Sequence, residues 1–289
     1  MRSRVLGRLG PSLIRSILAA VSMALLALGA SFDARAQYAG RVLHVCADPH
    51  NMPFSNEEGE GFENKLVDLI AAKLEMKVAY TWLPHVVGHV ARLPDGRECD
   101  ILMGYAQGTG LVEDTNPYYR TSYVLIYRKD DSSLAGVTNL SDQRLKDKTI
   151  GIIARTPPAS IMAMNGLVAN ARSFDSQGED GVASPAEDVV AAIASGEIDA
   201  GILWGPLGGY YAKGTRVPLA IVPLVKEMAG PATVYGITMG VRPNEPEWKH
   251  TLNKLISENQ GDIYAMLREY NVPLVDESGN LIEAPTAER

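Results

Sequence analysis

Apolar and polar positions along the first part of the chain alternate between a strand period and a helix period. Residues 41–47 form a short apolar run that predicts a buried strand. Residues 62–74 place apolar side chains on one helix face, and residues 77–83 alternate like a strand. Residues 99–103 and 118–128 predict two further strands. Strands alternating with helices are typical of parallel βαβ units, with helices on both faces of the sheet.

The same pattern starts again in the second half of the chain. Residues 148–153 predict a strand, and Thr156 followed by Pro157 predicts the cap and first position of a helix. Residues 198–204 and 233–241 predict two more strands. A repeated alternation of this kind indicates two α/β lobes.

Two long strands, 118–128 and 233–241, carry the chain out of the first lobe and back again. Two crossings form a hinge, and the cleft between the lobes is the expected ligand site. We expect a monomer. The predicted division is lobe 1 at 37–127 and 236–271, lobe 2 at 128–235, and a polar tail at 272–289.

The first 36 residues have the three parts of a secretory signal peptide. Four arginines precede an apolar run at 17–30, and a small-residue site follows at Ala34-Arg35-Ala36. The alternative is a membrane anchor, but the run is shorter than the about 20 residues that a bilayer span needs. The sequence therefore predicts cleavage near Ala36, a periplasmic location, and no membrane span in the mature form.

Charge and composition exclude several classes of function. The 289 residues include 27 Lys+Arg and 34 Asp+Glu, a net charge of −7. Removing the predicted signal peptide takes away five arginines and one aspartate, which leaves 22 basic and 33 acidic residues and a net charge of −11. We expect no nucleic-acid partner, because phosphate binding needs a basic face. Two cysteines cannot form a disulfide-dense scaffold or a four-thiolate zinc site.

Several short motifs follow one another in an order that resembles the extracellular solute-binding proteins of polar amino acid transporters. They are Asp48-x4-Pro53-Phe54, Gly61-Phe62-Glu63, residues 99–104, residues 116–119 and residues 196–200. The resemblance covers almost the whole mature chain. It implies a two-lobed fold of the periplasmic binding protein type II class, with a cleft between the lobes.

Longer matches resemble a subfamily encoded beside quinoprotein alcohol dehydrogenases, the MxaJ and XoxJ accessory proteins of periplasmic methanol dehydrogenases. They lie at residues 45–49, 53–56, 59–65 and 117–120. The loop at 108–115 favours the XoxJ side, which goes with lanthanide-dependent enzymes. The resemblance implies that the partner is a periplasmic quinoprotein dehydrogenase, which uses PQQ. The cytochrome c of that enzyme is a further candidate partner. We expect no cofactor in this chain itself.

Two departures from the amino-acid binders bear on the ligand. Those proteins use an Arg after the third strand to pair the ligand carboxylate, but residues 105–116 contain no Arg or Lys. They also use an Asp at the end of a strand in lobe 2, where this chain has Trp204. A standard amino acid would leave its charges unpaired in such a cleft, so we expect none to bind.

Strand ends and loops on one sheet edge supply the candidate residues for the cleft or for a partner. They are Asp48, Phe54, Glu60, Trp82, Tyr105, Arg155, Thr156 and Trp204. Open α/β sheets bind ligands at this edge, but the aromatic residues have core packing as an equal interpretation. Arg155 with Thr156 suits either an anion site at a helix start or a plain helix cap.

Histidine and cysteine pairs leave two further questions open. His85 and His89 have metal-site spacing, but no third ligand is visible nearby, and we expect no metal site. An oxidising compartment favours a Cys46–Cys99 disulfide. The offset between the two cysteines on neighbouring strands argues against it.

Three functions follow from these observations. The resemblance favours an accessory protein that assists the maturation or activation of the dehydrogenase. The alternative is an ABC-transporter receptor for a small molecule other than a standard amino acid. The third possibility is an enzyme, since some periplasmic dehydratases share this fold. Only His85 and Glu60 are candidates for its general acid or base. We therefore expect no enzyme.

Overall fold

A computed structural model describes residues 36–83, 99–108, 110, 112–174, 184–227 and 229–282. The longer strands are β1 (Val42–Ala47), β4 (Lys77–Trp82), β5 (Ile101–Ala106), β7 (Tyr119–Arg128), β8 (Ile150–Ile153), β9 (Ala171–Phe174), β10 (Ala200–Trp204), β11 (Leu219–Pro223) and β12 (Val234–Val241). The two-residue strands are β2 (His50–Asn51), β3 (Ser55–Asn56) and β6 (Glu113–Asp114). The helices are α1 (Phe62–Leu74), α2 (Pro157–Met164), α3 (Pro185–Ser195), α4 (Gly205–Lys213), α5 (Pro246–Glu258) and α6 (Gln260–Glu269).

Local sequence explains where these helices begin and end. The Asn64 side chain, in the first turn of α1, accepts a hydrogen bond from the backbone N–H of Gly61 at 3.1 Å. Glu75 ends α1 in the left-handed conformation. Thr156 precedes Pro157 at the start of α2 as predicted, although its side chain makes no capping bond there. The predicted helix at 62–74 and the predicted start at Pro157 are confirmed.

The sheet runs in the order β4-β1-β5-β12-β7-β10-β8-β9, and β11 pairs with β7. Strand β1 is parallel to β4 and β5, and β10 is parallel to β8, as the βαβ pattern predicts. The two predicted crossover strands, β7 and β12, lie side by side and antiparallel. The hinge prediction required this contact, and the two-lobed α/β fold is confirmed.

Strand β7 changes partners along its length. Tyr119–Ser122 pair with β12, whereas Tyr123–Tyr127 pair with β10. Beyond this point the side chains alternate between two cores. Val124 and Ile126 pack with the cluster around α3, and Leu125 and Tyr127 pack with the cluster around α2. The second lobe therefore begins near Tyr123, somewhat before the predicted boundary at 127/128.

The prediction of a polar tail from residue 272 is wrong for its first residues. Val272 and Leu274 are buried in the core of the first lobe, and Val275 is also buried. The backbone N–H of Val275 donates to the carbonyl of Arg120 at 3.0 Å, and the Thr121 hydroxyl donates to the carbonyl of Pro273 at 2.6 Å. The segment is too short to show a period, so only its contacts with β7 identify it as part of the fold.

A disulfide joins Cys46 to Cys99, with Cα atoms 5.6 Å apart. Strand register places Cys46 opposite Leu102, which is the offset that argues against the bond from sequence. The argument fails because β5 begins only at Ile101. Cys99 lies before the strand, so its distance from Cys46 does not follow the rise of an extended chain.

Other predictions fall on residues that the structure does not describe. The signal peptide up to Arg35, the pair His85 and His89, and the last residues from 283 are among them. Among the helices that are described, none has the length and apolar character of a membrane span.

Candidate functional site

A cleft of about 530 Å³ separates the two lobes. The first lobe forms one wall with the ends of β1 and β5 and the start of α1. The second lobe contributes β8, β10 and the starts of α2 and α4, and the crossover strands form the floor. The aromatic residues among the described lining are Phe54, Tyr105, Tyr119, Tyr123, Trp204 and Tyr235.

Five of the eight candidate residues line this cleft: Asp48, Phe54, Tyr105, Thr156 and Trp204. Asp48 is 5% exposed, and its carboxylate accepts a hydrogen bond from the backbone N–H of His50 at 2.9 Å. The Thr156 hydroxyl donates to the carbonyl of Ile153 at 2.7 Å. The ends of β1, β5, β8 and β10 therefore converge on one site, as the rule for open sheets predicts.

Glu60, Trp82 and Arg155 are not among the described lining residues. The exposed Glu60 accepts a hydrogen bond from the Asn56 amide at 3.0 Å. Trp82 stacks on Tyr80, with ring centroids 4.5 Å apart. It ends β4, the outermost strand, so β1 lies between Trp82 and the cleft. The side chain of Arg155 is exposed to solvent.

A buried carboxyl group in the wall of the cleft was missed by sequence analysis as a site residue. Glu63, in the first turn of α1, lines the cleft but is only 6% exposed. The Tyr118 hydroxyl donates to Glu63 Oε1 at 3.1 Å. Burial raises the pKa of Glu63 to about 7, and the hydrogen bond from Tyr118 opposes this shift. The motif Gly61-Phe62-Glu63 is the signal that could have identified it.

Gly104 makes room for that carboxyl group. Its φ of 74° lies in the left-handed region, and a Cβ atom there would come within 2.6 Å of Glu63 Oε1. The backbone N–H of Gly104 also donates to the Tyr118 hydroxyl at 3.2 Å. A side chain at this position would displace Glu63, because the close approach and the positive φ both require glycine.

Tyr119 lies in the floor of the cleft and is 2% exposed. Among the described residues its hydroxyl group makes no hydrogen bond. Burial raises the pKa of Tyr119, and the nearby Glu63 carboxyl group raises it further. Tyr119 thus carries a buried hydroxyl oxygen atom without a hydrogen-bond partner in the described part of the chain.

Three aromatic rings meet on the side of the cleft nearest the second lobe. The centroid of the Tyr123 ring lies 5.1 Å from Trp204 and 6.5 Å from Tyr235, and Trp204 lies 5.8 Å from Tyr235. All three pairs meet edge to face, a favourable arrangement of ring quadrupoles. The sequence predicts Trp204 as a site residue but not Tyr235, because Tyr235 lies far away along the chain and only the pairing of β12 with β7 brings it here.

Acidic side chains are the charged groups of the described lining. Asp48 and Glu63 belong to it, whereas no Lys, Arg or His occurs among those residues. The described cleft thus offers no cationic side chain to a ligand carboxylate, as the sequence of the loop at 105–116 predicts. The described residues also contain no cluster of His, Cys, Asp or Glu that could hold a metal ion.

Comparisons with known proteins place the chain in a family. No protein-family model matches the chain. The crystal structure of the periplasmic binding protein XoxJ from Methylobacterium extorquens AM1 is 41% identical, with a TM-score of 0.69. The match covers 81% of this chain and all of that one. This chain belongs to the MxaJ/XoxJ family of periplasmic binding proteins.

Two other MxaJ/XoxJ relatives are more distant. The crystal structure of MxaJ from Methylophaga aminisulfidivorans MPT is 25% identical, with a TM-score of 0.67, over 81% of this chain and all of that one. The protein MoxJ from Paracoccus denitrificans is 26% identical over 251 residues, which are 82% of this chain and 90% of the relative. The resemblance inferred from the sequence motifs is confirmed.

Proposed function

We propose that this MxaJ/XoxJ protein is a periplasmic accessory protein that assists the maturation or activation of a PQQ-dependent methanol or other alcohol dehydrogenase. The observation that carries the proposal is the 41% identity to XoxJ over the whole length of that chain. Identity to MxaJ is 25%, and this difference favours a dehydrogenase of the lanthanide-dependent type. Export through the signal peptide brings the protein to the periplasm.

The chemistry of the cleft supports a binding protein more than an enzyme. Of the two acid or base candidates, Glu60 is not among the described cleft residues and His85 lies outside the described residues. Neither candidate is therefore placed at the described cleft, where a general acid or base must reach the proton that it transfers.

Contact with the dehydrogenase is proposed at the aromatic rings of Trp204, Tyr123 and Tyr235. Buried aromatic residues supply much of the affinity at protein interfaces. The net charge of −11 in the mature chain sets which partners approach quickly, since charge mainly changes encounter rates. The cytochrome c of the same enzyme system is a further candidate partner.

The first test uses a strain that lacks the gene, complemented with the wild-type protein, with Trp204→Ala or with Trp82→Ala. Trp82 is the matched control, because it is also a half-buried tryptophan but is not among the described cleft residues. We expect Trp204→Ala to lower dehydrogenase activity and co-purification at least tenfold, and Trp82→Ala to preserve both. Melting temperatures of the purified variants establish that each one folds.

Deletion of the gene tests whether the protein has an accessory role at all. If the strain without the gene keeps full dehydrogenase activity and an unchanged metal dependence, the proposal is wrong, whatever Trp204→Ala does. The transport alternative predicts that Trp204→Ala abolishes small-molecule binding and leaves the dehydrogenase unaffected.

A further inference from the structure

The cleft joins two kinds of surface that an accessory role does not explain. Glu63 and Tyr119 line the side of the first lobe and the floor, and each carries a buried polar group. The rings of Trp204, Tyr123 and Tyr235 form a cluster of their own, and all five residues line the same space of about 530 Å³. A cavity of this size suits a small molecule, and the arrangement indicates which chemical class.

Glu63 is a buried acid within an apolar wall. Its carboxyl group accepts a hydrogen bond from the Tyr118 hydroxyl at 3.1 Å and lies close to Gly104. The hydroxyl supplies one hydrogen bond, whereas a carboxylate accepts several. Burial without a cation is unfavourable for the charged form, so a positively charged ligand would stabilise it.

Tyr119 provides the second polar atom. Its hydroxyl is buried and makes no hydrogen bond among the described residues. Buried polar groups in proteins are nearly always paired, so one without a protein partner needs a ligand or a water molecule. The Tyr119 ring packs against the Tyr118 ring, with centroids 5.0 Å apart, and the Tyr118 hydroxyl contacts Glu63.

We propose that the cleft binds a small organic ammonium compound that has an apolar body and no carboxylate. An ammonium group has three donors and no acceptor, which matches the oxygen atoms of Glu63 and Tyr119. The three rings accommodate the apolar body, and their faces also attract a cation. The described lining contains no Lys, Arg or His to pair with an anion. This inference goes beyond the accessory role and does not depend on it.

Three compounds of nearly equal shape test the charge requirement. Calorimetry measures the binding of 2-phenylethylamine, 2-phenylethanol and phenylacetate to the mature protein at constant ionic strength. We expect the amine to bind at least tenfold more tightly than the alcohol, and phenylacetate to give no heat. Equal affinity for amine and alcohol, binding of phenylacetate, or no binding of the amine overturns the proposal.

A substitution then locates the ammonium group. Glu63→Gln keeps the size of the side chain and an acceptor for Tyr118, so the fold is expected to persist. We expect it to weaken binding of the amine at least tenfold and to leave the alcohol unchanged. Glu258→Gln, at the exposed end of α5, makes the same change in net charge away from the cleft and should have no effect. If both variants weaken the amine equally, or neither does, the proposed site is wrong.

Discussion

Glu63 shows how one residue can depend on its neighbours for its properties. Its carboxyl group fits beside Gly104 because that residue has no Cβ atom, and the Tyr118 hydroxyl holds it in place. The apolar wall around it favours the neutral form, so its pKa rises from 4.5 to about 7. In the sequence, Glu63 has the pattern of an ordinary residue in the first turn of a helix. In the fold, it becomes a group that titrates near neutral pH.

The raised pKa predicts a pH-dependent stability. The folded protein holds the proton of Glu63 more tightly than the unfolded chain does, so Glu63 contributes stability below about pH 4.5 that is lost as the pH rises through about 7. The full shift corresponds to about 3 kcal/mol. We expect Glu63→Gln, which cannot ionise, to show a smaller decrease in the free energy of unfolding between about pH 5 and about pH 8. Urea titrations at both pH values measure this difference, and equal decreases in both proteins would contradict it.

Elements that look independent along the chain are joined in the fold. The segment after α6 packs two apolar side chains, those of Val272 and Leu274, into the core of the first lobe, and two of its backbone groups bond to β7. The first half of β7 therefore contacts residues 272–275, and the rest of the strand contacts the second lobe. Residues 272–275 therefore support the crossover strand β7.

Two leucines in this segment test that role. Leu274 is 3% exposed and Leu281 is 51% exposed. We expect Leu274→Ala to lower the free energy of unfolding by about 2–5 kcal/mol, because it leaves a cavity in the core. The matched Leu281→Ala should change it by less than about 0.5 kcal/mol. Denaturant unfolding measures both, and similar losses would show that the segment does not pack as described.

At the scale of the whole molecule, the site exists only between the lobes. Strands β7 and β12 hold the lobes together and place tyrosines in the floor of the cleft. The Cys46–Cys99 disulfide ties β1 to the residues before β5 within the first lobe, beside the same cleft. The ligand selectivity that we propose would therefore depend on residues of both lobes.

Standard amino acids test the selectivity of the whole cleft. A ligand at 100 times its dissociation constant stabilises a protein by about 2.7 kcal/mol, which gives a clear rise in melting temperature. We expect no such rise with any standard amino acid, because the described lining has no cation for the carboxylate. Phenylalanine is the sharpest case, since it is 2-phenylethylamine with a carboxylate added. A clear shift with any of them would contradict this reasoning.

The sequence by itself determined many of the longer elements, the class of fold and the family. Period, helix caps and prolines are local signals, and they gave the helix at 62–74, the start at Pro157 and the two crossover strands. The chain departs from the amino-acid-binding proteins in two places: the loop at 105–116 has no basic residue, and Trp204 stands at a strand end. Both could be recognised because the surrounding motifs fixed their positions in the fold.

Only the tertiary structure decided which side chains meet in the cleft. Glu63 and Tyr118 are separated by 55 positions, and Trp82 lies one strand too far out to join the site. Strand order and register set these distances through packing across the whole core, whereas a sequence period describes only neighbours along one element. The same long-range packing buried Val272, Leu274 and Val275, which no local pattern distinguishes from a tail.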